Sequence, residues 1–334
     1  MNKKIIHFLS VGILSTGVAV SSLTAFAAKA WTMPETGLRL TGEEKQAYVL
    51  EQMEPLFHPR EDAVKVAPAP FAPPDGWCYD VFDVDGVKTE RLTNPKLKKG
   101  RIVLQLHGGG YISGESNRHR ELAVKQGILS EARETYMVNY RLAPEHAYPA
   151  ALEDAVKVYR YLLAQGNDPK GMILMGDSAG GNLVLALSLY LKAEKLPQPA
   201  LLILASPWAT FEADIPSRSA NAKRDLILGT INPRMYNEVQ NPSYGNGLSP
   251  KDPRLSPIYA DLSELPPMLI QTGGYEMFLD ENIALAKKAA EDGVDVTLTV
   301  YGGMSHDFAL MLPEMQDSVD SFQEIRDFVG RHMK

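Results

Sequence analysis

Residues 171–190 constrain this chain more than any other stretch: an apolar run that breaks at Gly176 and resumes with helical character after Ser178. Such a run reads as a buried strand, a tight turn and a buried helix. Gly176, Ser178 and Gly180 fit G-x-S-x-G, in which a sharp strand-to-helix turn holds a serine with its hydroxyl exposed above a sheet. The turn crowds its neighbours, so residues without a Cβ on either side let strand and helix close up. The helix that begins after Ser178 brings free N–H groups and a positive dipole end, which suit a developing oxyanion. The same string also serves as an ordinary glycine turn between core elements, so the other parts of a site must be found elsewhere in the chain.

A second glycine run supplies one of them. Arg101 to Leu106 reads as a short buried strand and leads directly into His107, Gly108, Gly109 and Gly110. Three glycines at the end of a strand allow close backbone approach, and this HGGG-type loop reads as the second half of an oxyanion hole. Around these two loops the chain alternates strand and helix. Strands are expected at Thr135 to Asn139, Leu201 to Ala205, Met268 to Thr272 and Val294 to Tyr301. Helices are expected at Arg118 to Ser130, from Leu152 to Gly166, after Ser178, up to Glu291 and at the C-terminus, where Val319, Phe322, Ile325, Phe328 and Val329 share a face. Asp85-Gly86 within the alternating segment from Val81 predicts a hairpin. This rhythm implies βαβ units, a parallel sheet with helices on both faces, and chemistry at the carboxyl ends of the strands.

The rhythm is framed by other segments. Met1 to about Ala27 combines Lys3 and Lys4, an uncharged apolar segment and Ala25-Phe26-Ala27, and reads as a secretory signal peptide over residues 1–27. Secretion is the expectation, with an uncleaved N-terminal anchor as the alternative and no stable membrane insertion once the leader is removed. Residues 31–75 form a partly helical preamble and a proline-rich connector, and 76–334 the main domain, with an insertion at about 207–257. The insertion's aromatics make it a lid or pocket wall, and Trp208, with Tyr111 after the glycine loop, is a candidate to line a substrate pocket.

Loss of Lys3 and Lys4 with the leader would move the formal charge from −7 to −9, which argues against nucleic acid as a partner. The single cysteine, Cys78, forms no intramolecular disulfide, so stability must come from a core that about 300 residues can build. Homodimerisation is left open.

A serine hydroxyl needs an imidazole to take its proton and a carboxylate to orient that imidazole. After Ser178 only His306 and His332 remain. His306 lies in a glycine-flanked loop after the last strand, at the active end of the sheet, whereas His332 ends an amphipathic helix. The acid is expected after the preceding strand, where Glu276 sits in the loop and Asp280 one turn later; Glu276 is better placed and Asp280 is the alternative. Ser178 would attack an acyl carbonyl while the N–H groups of Gly108, Gly109 and Ala179 hold the oxyanion.

Four ordered motifs, His107 to Gly110, Tyr140 to Glu145, Gly176 to Gly181 and Gly303 to Phe308, resemble those of the hormone-sensitive-lipase-like esterases of the α/β-hydrolase fold. The similarity runs from about Val81 to Phe328. It implies an eight-stranded, mostly parallel sheet flanked by helices, with a small helical cap built from the preamble and the insertion. It also implies hydrolysis of short- to medium-chain acyl esters, a small-molecule substrate, without metal or organic cofactor. Glu276 departs from the aspartate usual at the matching position, which keeps Asp280 in play. Thr210 departs from the aspartate that often follows Ser206-Pro207-Trp208. A serine peptidase or amidase on the same fold and a non-catalytic secreted binding protein are the rival readings.

Overall fold

The sheet starts from a turn that only a few residue types accept. Asp85 and Gly86 both have positive φ, 49° and 83°, and Asp83 Oδ1 accepts the Gly86 N–H at 2.8 Å. Two left-handed residues in a row match the twist of the flanking strands, which pair with Val84 opposite Val87.

The computed structural model describes residues 31–57 and 69–333; the expected signal peptide at 1–27 lies outside them. Along the chain come α1 (Gly42–Phe57), β1 (Cys78–Val84), β2 (Val87–Thr93), β3 (Ile102–Leu106), α2 (Asn117–Leu129), β4 (Glu134–Val138) and α3 (Ala150–Ala164). Next are β5 (Met172–Asp177), α4 (Ala179–Ala193), β6 (Leu201–Ala205), α5 (Pro216–Ala220), α6 (Pro233–Gln240) and β7 (Met268–Gly273). The chain finishes with α7 (Leu279–Glu291), β8 (Val296–Tyr301), α8 (Phe308–Met311) and α9 (Gln316–His332).

Eight strands form one sheet in the order β1-β2-β4-β3-β5-β6-β7-β8. The first three in that order pair antiparallel and the rest are parallel. Strands β3, β5 and β7 are buried along their whole length, as a parallel sheet covered on both faces requires. Alternate side chains divide between the faces. Leu104, Leu174, Leu202 and Ile270 pack with residues of α3, α4 and α7, whereas Val103, Ile173, Ile203 and Leu269 pack with Leu122 of α2 and Phe322, Phe328 and Val329 of α9. Each fully buried side chain of this size contributes on the order of 1.5–3 kcal/mol.

The preamble helix α1 buries Val49 and Met53 against Tyr301, the last residue of β8, and Met304, Phe308 and Met315 beyond it. Lys45 Nζ reaches the Gly302 carbonyl at 2.9 Å and Asp317 at 2.7 Å. The stretch between β6 and β7 holds α5, α6 and a series of turns. It corrects one expectation: Trp208 is only 1% exposed and stacks on Phe211 and Phe278, at 4.3 and 5.7 Å between ring centroids. Tyr111 is likewise buried, stacked on Tyr244 at 3.9 Å with its hydroxyl donated to Asn182 Oδ1 at 2.7 Å. Both belong to the core rather than to an exposed pocket wall, because the insertion folds its aromatics down onto the sheet.

A buried ion pair fastens that insertion. Arg218 of α5 donates to Glu281 Oε2 of α7 at 2.7 and 3.0 Å and to the Val239 carbonyl at 3.1 Å. Glu281 Oε1 accepts the Ala209 N–H at 2.9 Å. Burial pushes the Glu281 carboxyl up to about 7 despite the guanidinium. Removing one partner of such a pair strands the other charge, so Arg218→Met should cost about 3–5 kcal/mol in urea unfolding. Adding Glu281→Gln, which neutralises the stranded acid and keeps an acceptor for Ala209, should recover more than half of the loss; no recovery would show that the pair's charge is not what matters.

Candidate active site

Ser178 follows β5 directly and is held at φ 53°, ψ −122°, a backbone conformation that side chains rarely adopt. Three hydrogen bonds keep it there: its N–H donates to the Ala205 carbonyl at 2.9 Å, and its own carbonyl accepts from Trp208 at 3.0 Å and Asn182 at 3.1 Å. Such a residue costs on the order of 1–3 kcal/mol and persists only where its surroundings enforce it. The flanking glycines are a steric necessity. A Cβ on Gly180 would strike the carbonyl oxygens of Leu106 and His107, and one on Gly176 would strike the Gly180 carbonyl.

Beyond β8, the loop from Gly302 to Ser305 brings His306 over the serine. The Tyr275 N–H donates to the Met304 carbonyl at 3.0 Å and the Gly274 N–H to the Tyr301 carbonyl at 2.8 Å, which fixes this loop against the one after β7. His306 Nε2 lies 2.8 Å from Ser178 Oγ, and its Nδ1 lies 3.0 Å from Glu276 Oε2. The second Glu276 oxygen accepts the Gly273 N–H at 2.9 Å. Asp280 faces elsewhere and accepts the Ser217 N–H at 2.9 Å. His332 sits at the end of α9, 3.1 Å from Asp295. Ser178, His306 and Glu276 are 3%, 1% and 0% exposed, so their contacts are made in a poorly screened interior.

Burial opposes charge on His306, yet the adjoining Asp307 and Glu276 carboxylates outweigh it and hold the imidazole well above its ordinary value. Burial likewise raises Glu276, with Asp225 adding to the rise and His306 opposing it. Asp307 was not anticipated: its Oδ2 lies 3.2 Å from His306 Nε2. The only sequence signal for it is adjacency to His306, and adjacency does not say which way a side chain turns.

The glycine loop lies against the elbow. The Gly108 N–H donates to Asp177 Oδ2 at 3.0 Å. That commitment corrects the expectation for Gly108, since a donor already bound to a carboxylate is not free for an oxyanion. Among the described residues the N–H groups of Gly109, Gly110 and Ala179 have no protein acceptor. Gly110, which reading the sequence did not single out, thus joins Gly109 and Ala179 as a donor without a protein acceptor. Tyr140 buttresses the loop: its ring stacks on His107 at 4.1 Å and its hydroxyl donates to the His107 carbonyl at 2.6 Å. Burial drives His107 down to about 4, so it stays neutral. His119 of α2 approaches Asp177 Oδ2 at 3.5 Å, and although burial opposes its charge this carboxylate raises it. The next residue of the Tyr140 motif, Arg141, clamps Asp154 in α3 through bonds of 2.9 and 3.1 Å. Among the described residues no group of three or more histidine, cysteine, aspartate or glutamate side chains is placed to hold a metal ion.

The family model for the α/β-hydrolase fold matches residues 103–310. The chain is 32% identical to an esterase of Acinetobacter venetianus over 84% of this chain and 86% of that protein. It is 37% identical to an acetyl-hydrolase of Streptomyces hygroscopicus over 68% of this chain and 74% of that one. Among solved structures, an esterase from the bacterial hormone-sensitive lipase family superposes with a TM-score of 0.76 at 30% identity, covering 88% of this chain and 100% of the other. With a serine on a strained elbow after β5, an imidazole against it and an eight-stranded, mostly parallel sheet beneath, the chain belongs to the hormone-sensitive-lipase-like esterases of the α/β-hydrolase fold and is a carboxylic ester hydrolase of the serine-hydrolase type.

Proposed function

We propose that this protein is a serine carboxylesterase that hydrolyses short- to medium-chain acyl esters through an acyl-enzyme on Ser178. The continuous contact from Glu276 through His306 to Ser178 carries this reading. Ser178 Oγ attacks the ester carbonyl as its proton passes to His306 Nε2, and Glu276 holds Nδ1–H and balances the imidazolium. The carbonyl oxygen becomes an oxyanion facing the N–H groups of Gly109, Gly110 and Ala179, fixed dipoles that need no reorganisation. His306 then gives the proton to the departing alkoxide, and the alcohol leaves. Water, deprotonated by the same nitrogen, attacks the acyl-enzyme and releases the acid and Ser178. The relative named as an acetyl-hydrolase supports a preference for small acyl groups.

We also infer that the enzyme is exported, on the strength of Lys3, Lys4, the apolar run after them and Ala25-Phe26-Ala27. Protein recovered from culture medium should begin near Ala28 by N-terminal sequencing.

Ser178→Ala should lower kcat on p-nitrophenyl acetate by on the order of 10⁶-fold and abolish labelling by a fluorophosphonate. Undiminished turnover would rule the mechanism out. Glu276→Gln should cost on the order of 10⁴-fold in kcat, the size found when an amide replaces the orienting carboxylate of such a triad. Asp280→Asn should retain most of the activity; the opposite ranking would transfer the orienting role to Asp280. Across p-nitrophenyl esters from acetate to laurate, kcat/KM should be highest at the short end, and a maximum at laurate would contradict the proposed substrate range.

A further inference from the structure

Asp307 is a second carboxylate, beside Glu276, in contact with the Ser178 and His306 pair. Its Oδ2 lies 3.2 Å from His306 Nε2, the same nitrogen that lies 2.8 Å from Ser178 Oγ. One N–H cannot be given fully to both. We propose that Asp307 is a positioning residue that competes with Ser178 for His306 Nε2, holding the resting imidazole protonated so that the enzyme gains activity only as pH rises. This rests on the reading of Ser178 and His306 given above.

Three observations single out Asp307. It precedes the short helix α8 as its N-cap, with φ 51°, yet its side chain makes no capping bond. Its left-handed backbone, unlike the extended backbone of an ordinary capping residue, turns the carboxylate away from the helix N–H groups and toward the imidazole. Its other oxygen, Oδ1, has no partner among the described residues, and the residue lines a cavity of about 40 Å³ beneath the site, shared with Asp177 and Ser206. Among the described residues, the carboxylate's one polar contact is therefore the one with His306. Among the described residues, His306 is also the only cationic side chain in ion-pair contact with it.

The neighbouring charges do not offer a substitute. Glu276, after β7, occupies the opposite nitrogen, Nδ1. Asp225 of the insertion spends one oxygen on the Met277 N–H at 2.7 Å and the other on Ile227 and Leu228. Asp177 at the end of β5 is matched by His119 of α2. Lys45 of α1 is paired with Asp317 of α9, and Arg118 of α2 reaches only the Met311 carbonyl and sulfur at the end of α8. Tyr275, beside Glu276, faces the exposed Arg224 guanidinium at 5.0 Å. Asp307 is thus the anion that bears directly on Nε2.

The sign follows from the order of titration. Burial raises the Asp307 carboxyl to about 6, while His306 titrates well above its ordinary 6.5. Over the range where His306 loses its proton, Asp307 is already ionised and favours the imidazolium. A general base must be neutral, so each increment of pH releases Nε2 for Ser178. On this account Asp307 costs activity in mild acid.

The test is the pH profile of kcat/KM on p-nitrophenyl acetate for the full-length enzyme. An opposite charge this close moves an imidazole by about 1–3 pH units, so in Asp307→Asn the acid-limb midpoint should fall by about one unit or more. In Asp307→Glu, which keeps the charge, the midpoint should stay near the wild type. A folded Asp307→Asn enzyme with an unmoved midpoint overturns the proposal. If Asp307→Asn does not fold, nitrogen-15 histidine NMR of Glu276→Gln, which leaves Asp307 as the remaining carboxylate against the ring, decides it, with His306 assigned by comparison with the Glu276→Gln, His306→Gln double variant. Titration of that ring above 6.5 supports the proposal, and titration at or below 6.5 overturns it. Ser178→Ala separates the two layers. Retained esterase activity there would bring down the underlying mechanism, whereas a dead Ser178→Ala beside an unshifted Asp307→Asn would sink the role of Asp307 alone.

Discussion

Everything at the site depends on how closely three backbone segments approach one another around Ser178. The elbow places the Gly180 Cα beside the carbonyl oxygens of Leu106 and His107, so β3, β5 and the start of α4 meet with no side chain between them. This contact does two things. It forces Ser178 into a left-handed conformation, maintained by a hydrogen bond to the Ala205 carbonyl and by those from the N–H groups of Trp208 and Asn182. It also brings the glycine loop after β3 within reach of the serine, so that the loop's N–H groups and the Ser178 hydroxyl are set by the same packing event. Strain in the backbone and preorganisation of the site are one feature here.

Around this point several buried charges are given a counter-charge or a backbone donor. Arg218 and Glu281 join the insertion to α7, with the Ala209 N–H and the Val239 carbonyl completing their valences. Asp177 is divided between the Gly108 N–H and His119, so the glycine loop is pinned by an electrostatic contact as well as by the stacked pair of His107 and Tyr140. Among the described histidines, only His306 has a carboxylate at each ring nitrogen, Glu276 at Nδ1 and Asp307 near Nε2. Removing any one member from such sets is costly because the interior screens charge poorly. The same low screening gives the carboxylates their hold on the imidazole.

Much of the architecture was legible because the signals were local. The apolar strand before Ser178, the Asp85-Gly86 turn and the 3.6-residue spacing of Val319, Phe322 and Ile325 each specify an element from a few neighbouring residues. Boundaries moved by a residue or two, as for β8, which begins at Val296 rather than Val294 because Val294 is drawn into the turn after α7 and packs into the core. Aromatic content misled in the insertion. Trp208 and Tyr111 looked like walls of a pocket, but a large ring gains more from stacking in the core than from solvent, and both found partners there. Composition does not say which face of a loop is turned inward.

The sequence by itself determined the parallel sheet, its helical layers, the elbow at Ser178, the glycine loop and the order in which serine, acid and histidine occur. These are consequences of periodicity and of steric demands that only glycine meets, and both are properties of short segments. Only the tertiary structure decided which carboxylate meets His306, that the Gly108 N–H is taken by Asp177, and that Asp307 reaches the nitrogen facing Ser178. Those outcomes rest on contacts between residues as far apart as 128 positions, such as Ser178 and His306. A hydrogen bond is decided by tenths of an ångström and by the direction of a side chain, and neither is encoded in the spacing of residues along a chain.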